Sequence, residues 1–271
     1  MAATAFYQLP IAIRRVDVDR SGQWLAAGWR DFLRAPAVSL LYGGAFTAVS
    51  VLIAYALIAF GHGSLVLPLA GGFVLLAPIL VVGLYDVSQR LEQNREVTLA
   101  NVCAAFRNNI GQLSAMGVVL LILWFVWVEI AIVLFAVFFG APLPALGDFV
   151  NDVVLSAVGA PLLIIGTLVG AAFAGVIFTI TAVSIPMMYD RPVDVATAIA
   201  ASVLAVRANW QVMFGWAALI VLVTVCAIAT FFVGLAVALP VLAYATWHSY
   251  RDLIGEHPLV PAEEAGFGAG I

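Results

Sequence analysis

The chain of 271 residues is 65% hydrophobic and 10% charged, with a mean hydropathy of +1.13. Soluble domains are nearer half apolar and a quarter charged, so the composition excludes an ordinary water-soluble fold and indicates a polytopic membrane protein. The formal charge of −4 decides little, whereas the placement of the 11 basic residues, all of them Arg, decides a good deal.

Residues 1–20 are mixed in character and are expected to be a flexible segment. No cleavable signal peptide is expected, because the opening lacks a continuous apolar core. Asp17 and Asp19 behind Arg14-Arg15 argue against a twin-arginine export signal. Ser21 has the chemistry of a helix N-cap. Trp24, Leu25, Gly28, Trp29, Phe32 and Leu33 then recur at helical spacing, with Arg20, Arg30, Asp31 and Arg34 on the other side. Tryptophans on an amphipathic helix beside a span predict a helix lying in the headgroup region, ended here by Pro36.

A first span follows at about 38–60 and, after the turn Gly61-His62-Gly63-Ser64, a second at about 65–86. Each has the ~20 apolar residues that cross a hydrocarbon core of ~30 Å. Pro78 removes a backbone hydrogen bond and predicts a kink. A polar linker then carries a second amphipathic pattern in Leu99, Val102, Cys103, Phe106 and Ile110. The third span is expected at about 113–140, followed by a Pro-rich loop with Asp148 and Asp152. The fourth, about 158–184, is rich in small residues, and Gly166 with Gly170 makes a small-xxx-small pair suited to close helix packing. A third amphipathic helix runs from Asp194 to Arg207, with Val195, Ile199, Val203 and Val206 on one face. The last apolar run is too long for one crossing and divides near Thr230–Gly234 into spans of about 212–230 and 233–250. Residues 255–271 are expected to be a flexible tail.

The fold predicted is therefore an all-α membrane domain over residues 21–254, with six transmembrane helices. It divides into three tandem units, about 21–90, 96–191 and 194–252, each an interfacial amphipathic helix followed by a two-span hairpin. Arg14, Arg15, Arg20, Arg30 and Arg34 precede span one, Arg90, Arg95 and Arg107 separate spans two and three, Arg191 and Arg207 separate four and five, and Arg251 follows six. By the positive-inside rule both termini are cytoplasmic, which fits an even number of spans.

Glu129 is the exceptional residue, a carboxylate inside the third span, with no Lys or Arg in any expected span and His248 only at the end of the last. It reads as a proton- or cation-binding group, as a neutral acid hydrogen-bonded to a neighbouring hydroxyl or reaching the outer interface, or as the mate of a partner protein's basic residue. Asp86, Asp190 and Asp252 recur at the cytoplasmic ends of spans two, four and six, with Arg90, Arg191 and Arg251 close by. They read either as an ion-pair ring joining the units or a cytoplasmic mouth, or as simple span anchors. His62, His248 and His257 have no metal-ligand spacing. Cys103 and Cys226, in a linker and an apolar run, suit neither a structural disulfide nor a metal site. There is no phosphate-binding glycine pattern, no nucleophile elbow and no zinc-protease motif. No metal, cofactor or nucleic-acid partner is expected, and nothing argues for an enzyme.

Gly28-Trp29-Arg30-Asp31-Phe32, Ala35-Pro36 and Leu41-Tyr42-Gly43 form one group of motifs. Ala70-Gly71-Gly72-Phe73, Ala77-Pro78, Gly83-Leu84-Tyr85-Asp86 and Ser88 form a second, and Thr246-Trp247-His248-Ser249-Tyr250-Arg251 a third. Together they resemble the bacterial integral membrane domain-of-unknown-function family 2189, over about residues 24–254. The resemblance implies an inner-membrane location and a multi-helix fold, and supplies neither an activity nor functional residues. The expectation is a structural, accessory or assembly factor that lies in the lipid bilayer and joins a membrane-protein complex. The alternative is a small permease or channel with Glu129 as its intramembrane binding group.

Overall fold

A chain this apolar satisfies its backbone polar groups most cheaply within helices. The computed structural model describes residues 11–66, 69, 76–140, 151, 155–157 and 159–255, and it is helical. The helices are α1 (Arg20–Arg34), α2 (Pro36–Ala59), α3 (Val82–Glu92), α4 (Leu99–Ala104), α5 (Ile110–Phe139), α6 (Ala160–Thr181), α7 (Ser184–Asp190), α8 (Val195–Ala208), α9 (Trp210–Ala229) and α10 (Leu235–Leu253). Strand-like pairing among the described residues is confined to one bridge, between Ile13 and Ile254. The Ala70–Phe73 motif, Asp148, Asp152, His257, residues 1–10 and residues 256–271 lie outside the described residues.

Among the described residues, four helices are long and apolar enough to cross a membrane: α2, α5, the continuous stretch Ala160–Asp190 that holds α6 and α7, and α9. Their outer faces expose large apolar side chains such as Leu52, Ile122, Leu168 and Leu222, as lipid-facing helices do. The sequence predicts six spans. Of the other two expected, 65–86 falls partly on residues outside the description. Its later part is helical over 76–80, breaks at Val81 three residues after Pro78, and resumes as α3. The expected span 233–250 is α10, which contains Pro240 and ends in a polar half. Its polar half does not face lipid, because α10 packs against α1, α2, α3, α7 and α9.

Glycine makes that central position possible. A Cβ on Gly28 would overlap the Val241 carbonyl oxygen and stand 2.7 Å from the Ala245 nitrogen, so α1 rests directly on the α10 backbone. A Cβ on Gly43 would likewise overlap the Ala236 carbonyl oxygen, where α2 crosses α10. The short amphipathic helices follow one pattern: α4 packs on α3, α8 on α6 and α7, and α1 on α10.

Local structure departs from the sequence reading in several places. Helix α1 begins at Arg20 behind Asp19, without a side-chain cap, so Ser21 is already helical. Its buried stripe is Trp24, Gly28, Asp31 and Phe32, while Trp29 and Leu33 are exposed (47% and 58%). Contact with α10 rotates the helix so that an acid turns inward and a tryptophan outward. The second amphipathic segment is shorter than its periodicity suggests: α4 passes into a 3-10 turn at Ala105–Arg107. Asn109 then takes a left-handed conformation (φ 52°) that breaks the helix before α5. Only Val102 of its apolar set is fully buried. Asn109 Nδ2 donates to the carbonyls of Met188 (3.2 Å) and Val193 (3.0 Å). The corresponding Asn209 holds the N-terminal segment, donating to Arg14 O (2.9 Å) and accepting from Val16 N (2.9 Å). The division of the last apolar run falls at 230–234, where Phe231 and Phe232 both have positive φ (54° and 67°). Gly170 meets the Trp127 ring at 3.0 Å and Gly166 faces open space, so the pair does not form a small-residue groove between these helices.

Replacing Gly28 or Gly43 by Ala is expected to destabilise the protein by about 1–3 kcal/mol through overpacking. Gly44→Ala, where nothing lies within 4 Å, is the matched control. Melting temperatures of the three purified variants in detergent check this, and equal melting of all three would contradict the helix contact described.

Candidate functional site

Adjacent residues on a helix point in different directions, so a Tyr-Asp pair at a helix end sends the ring and the carboxylate to different neighbours. Three such ends meet here. Tyr85 and Asp86 lie in α3, Tyr189 and Asp190 close α7, and Tyr250, Arg251 and Asp252 lie in the last turn of α10. The Tyr189 hydroxyl donates to Asp86 Oδ1 (2.9 Å) and the Tyr250 hydroxyl to Asp190 Oδ2 (2.6 Å). Gln89 Nε2 adds a bond to Asp190 Oδ1 (2.9 Å). Trp247, fully buried, stands among Tyr85, Tyr189 and Tyr250 with ring centroids 6.3, 5.9 and 5.5 Å away.

Of the arginines named from the sequence, Arg90 pairs within its own helix, whereas Arg191 and Arg251 also reach other segments. Arg90 Nε pairs with Asp86 Oδ2 at 2.6 Å, one turn away on the same helix. Arg191 Nε approaches Asp190 Oδ2 at 3.6 Å, and its Nη2 donates to Gly255 O (2.9 Å). Arg251 turns to Glu92 (3.6 Å). Asp252 accepts from the Trp24 indole (2.7 Å) and lies 3.4 Å from Arg20 Nε, tying α10 to α1. The Tyr189 and Tyr250 hydroxyls and the Gln89 amide thus reach the Asp of the neighbouring helix, while Arg251–Glu92 joins α10 to α3.

A second cluster beside it went unread in the sequence. Asp31 Oδ2 receives the Ser88 hydroxyl (2.8 Å) and stands 2.8 Å from His248 Nε2. The other ring nitrogen of His248 lies 3.6 Å from Glu92 Oε1. Burial raises the Glu92 carboxyl above its ordinary pKa, against the lowering influence of Arg251 and His248. The Trp247 indole also lowers it, although Trp247 Nε1 makes no hydrogen bond of ordinary geometry. The signal for this cluster was available: Asp31 falls on the same i, i+3, i+4, i+7 stripe as Trp24 and Gly28.

Glu129 belongs to neither cluster. It is exposed, on the face of α5 opposite the buried Leu113, Met116 and Leu120. Its surface neighbours Ile122, Phe125, Val126, Ile130, Val133 and Leu134 are all on its own helix. It makes no hydrogen bond or ion pair among the described residues. Phe139 ends the helix ten residues later, about 15 Å along the axis. A charged side chain near the centre of a membrane helix costs about 2.5–3.5 kcal/mol on insertion scales.

Apolar cavities lie between the helices, and two of them bear on the membrane reading. One of about 270 Å³ is lined by residues such as Ser50, Leu57, Trp124 and Phe232. The other, about 140 Å³, is lined by Pro78, Tyr85, Thr181, Trp216 and Thr246 among others. Neither touches Glu129, Asp86 or Asp190. No group of three His, Cys, Asp or Glu side chains among the described residues is arranged to hold a metal ion. Apart from the Trp247 indole nitrogen, the buried polar groups of these clusters find partners on other segments of the chain, so what their geometry does is fasten helices together.

Replacing Tyr189 or Tyr250 by Phe is expected to cost about 1–3 kcal/mol each, because a buried carboxylate loses a donor. Tyr55→Phe, on a side chain 70% exposed, is expected to change nothing. Thermal unfolding in detergent measures all three, and indifference to the first two would show that the hydroxyls do not join the helix ends.

Residues 66–190 match the model of a family described as "Predicted integral membrane protein (DUF2189)". The likeness read from the motifs is thus shown over these residues, which include Pro78 and the Tyr85-Asp86 and Tyr189-Asp190 pairs, whereas the opening and closing motifs lie outside the match. No curated protein and no solved structure matches the chain. The protein is accordingly an integral membrane protein with several apolar helices.

Proposed function

We propose that this chain is a structural or accessory subunit that supports the assembly of other proteins in the bacterial inner membrane. The observation that carries the reading is the outward position of Glu129. Every other acid with a resolved role here is held by the chain's own tyrosines, arginines, histidine or amides, whereas Glu129 presents its carboxylate to whatever lies outside α5. An isolated carboxylate in that place is costly for a protein that works alone.

The architecture proposed is the six-span domain over residues 21–254, with both termini cytoplasmic. Three features support it: the confinement of all 11 arginines to the segments outside the apolar helices, the repeated order of short amphipathic helix and long apolar helix, and the two Tyr-to-Asp links between successive closing helices. In this reading Asp86, Arg90, Asp190, Arg191, Arg251 and Asp252 anchor the cytoplasmic ends of the returning spans. The permease alternative requires Glu129 on an interior path. Pro78 does border a cavity, but that cavity is mostly apolar and Glu129 is not among the residues that line it.

Affinity purification of the tagged full chain from native membranes in mild detergent, followed by mass spectrometry, tests the reading. A membrane protein recovered in stoichiometric amount is expected. Recovery of the chain alone would contradict it and move the weight to transport.

A further inference from the structure

The exposed face of α5 is more ordered in sequence than lipid contact requires. Val118, Ile122, Val126, Val133 and Val137 are 57%, 58%, 42%, 57% and 72% exposed, and with Glu129 they form one row along the helix. Their spacings of four, four, three, four and four residues keep them on one side of the helix. Apart from Glu129 every member is β-branched. Such side chains have little rotamer freedom to lose on contact, so they make a stiff ridge. Phe125 (56% exposed) and Leu121 (43%) flank the row on the same side of the helix.

Resting on the assembly reading, we propose that this ridge docks a single transmembrane helix of another protein, one that carries Arg or Lys at the depth of Glu129 and small residues beside it. Charge complementarity selects this occupant. A second copy of the chain would bring another Glu129 and no cation, since α2, α5, α6 and α9 contain no Arg, Lys or His. Lipid tails bring no charge either. A β-branched ridge fits the shallow groove made by Gly, Ala or Ser on a partner helix, which lets a short carboxylate reach across. The opposite side of α5 is already occupied: Trp127 stacks on Phe173 and covers Gly170 of α6.

The probe is a synthetic Leu/Ala transmembrane peptide with one central Arg, compared with the same peptide carrying Leu there. Full-length protein with Cys226→Ala is labelled at Cys103, which is exposed, and energy transfer to the peptide is measured in liposomes. The expected result is at least tenfold tighter association of the Arg peptide, lost in Glu129→Gln and in Val126→Phe. Glu129→Arg is expected to reverse the preference toward a Glu peptide. Each variant must elute and melt as the unsubstituted protein does, and Glu129→Gln, on an exposed side chain, serves where Val126→Phe does not fold. Equal association of the two peptides would overturn the proposal, as would Glu129-dependent transfer between two copies of the chain without preference for the Arg peptide. If a native partner co-purifies equally with the unsubstituted and Glu129→Gln proteins while the peptides are not distinguished, the docking ridge fails and the assembly reading stands. If the peptides are distinguished but native membranes yield no partner, the ridge stands and the assembly reading fails.

Discussion

The direct seating of α1 and α2 on the backbone of α10 is the constraint on which the rest depends. Gly28 and Gly43 remove the Cβ atoms that would hold these helices apart. Only because α10 is enclosed in this way can its last turns carry Trp247, His248, Tyr250 and Asp252 in a protein whose other long helices are almost purely apolar. Enclosure then sets the terms for each polar group. Asp252 meets Trp24, His248 meets Asp31, and Tyr250 meets Asp190. In a surrounding of low dielectric, an unmatched member of such a network costs more than a matched one contributes, so the partners come as a set.

The treatment of acids divides the molecule into two kinds of surface. Asp31, Asp86, Asp190 and Asp252 are each held by groups from a different segment of the chain, which makes them fasteners of this fold. Glu129 has no hydrogen bond or ion pair among the described residues and sits in a row of apolar side chains on α5.

Much of this was legible in the sequence because membrane helices obey simple rules of length and hydropathy. The spans at 38–60, 113–140, 158–184 and 212–230 each overlap one of the long apolar helices. Periodicity served less well where helix faces are shared between protein and lipid. On α1, both Trp24 and Trp29 read as apolar, yet one packs on Trp216 and the other is exposed. Asp31 was assigned to the solvated side because charge normally is, and only the partners Ser88 and His248, 57 and 217 residues away, turn it inward. The acids at the helix ends were visible as a repeat, but the tyrosines that bind them were not assigned roles. Hydroxyl bonds between distant segments leave no periodic trace. The polar half of α10 falls below the usual hydropathy of a span for the same reason: its surroundings are protein.

The account turns on whether α3 and α10 complete hairpins with the apolar helices before them. The most direct test is single-cysteine labelling in intact cells with a membrane-impermeant maleimide, after replacing Cys103 and Cys226 by Ser. Six spans predict that His62→Cys is labelled from outside and Asn94→Cys only after the membrane is permeabilised. Equal labelling of positions 62 and 94 from one side would mean that residues between them never cross, and the three-hairpin account would be wrong.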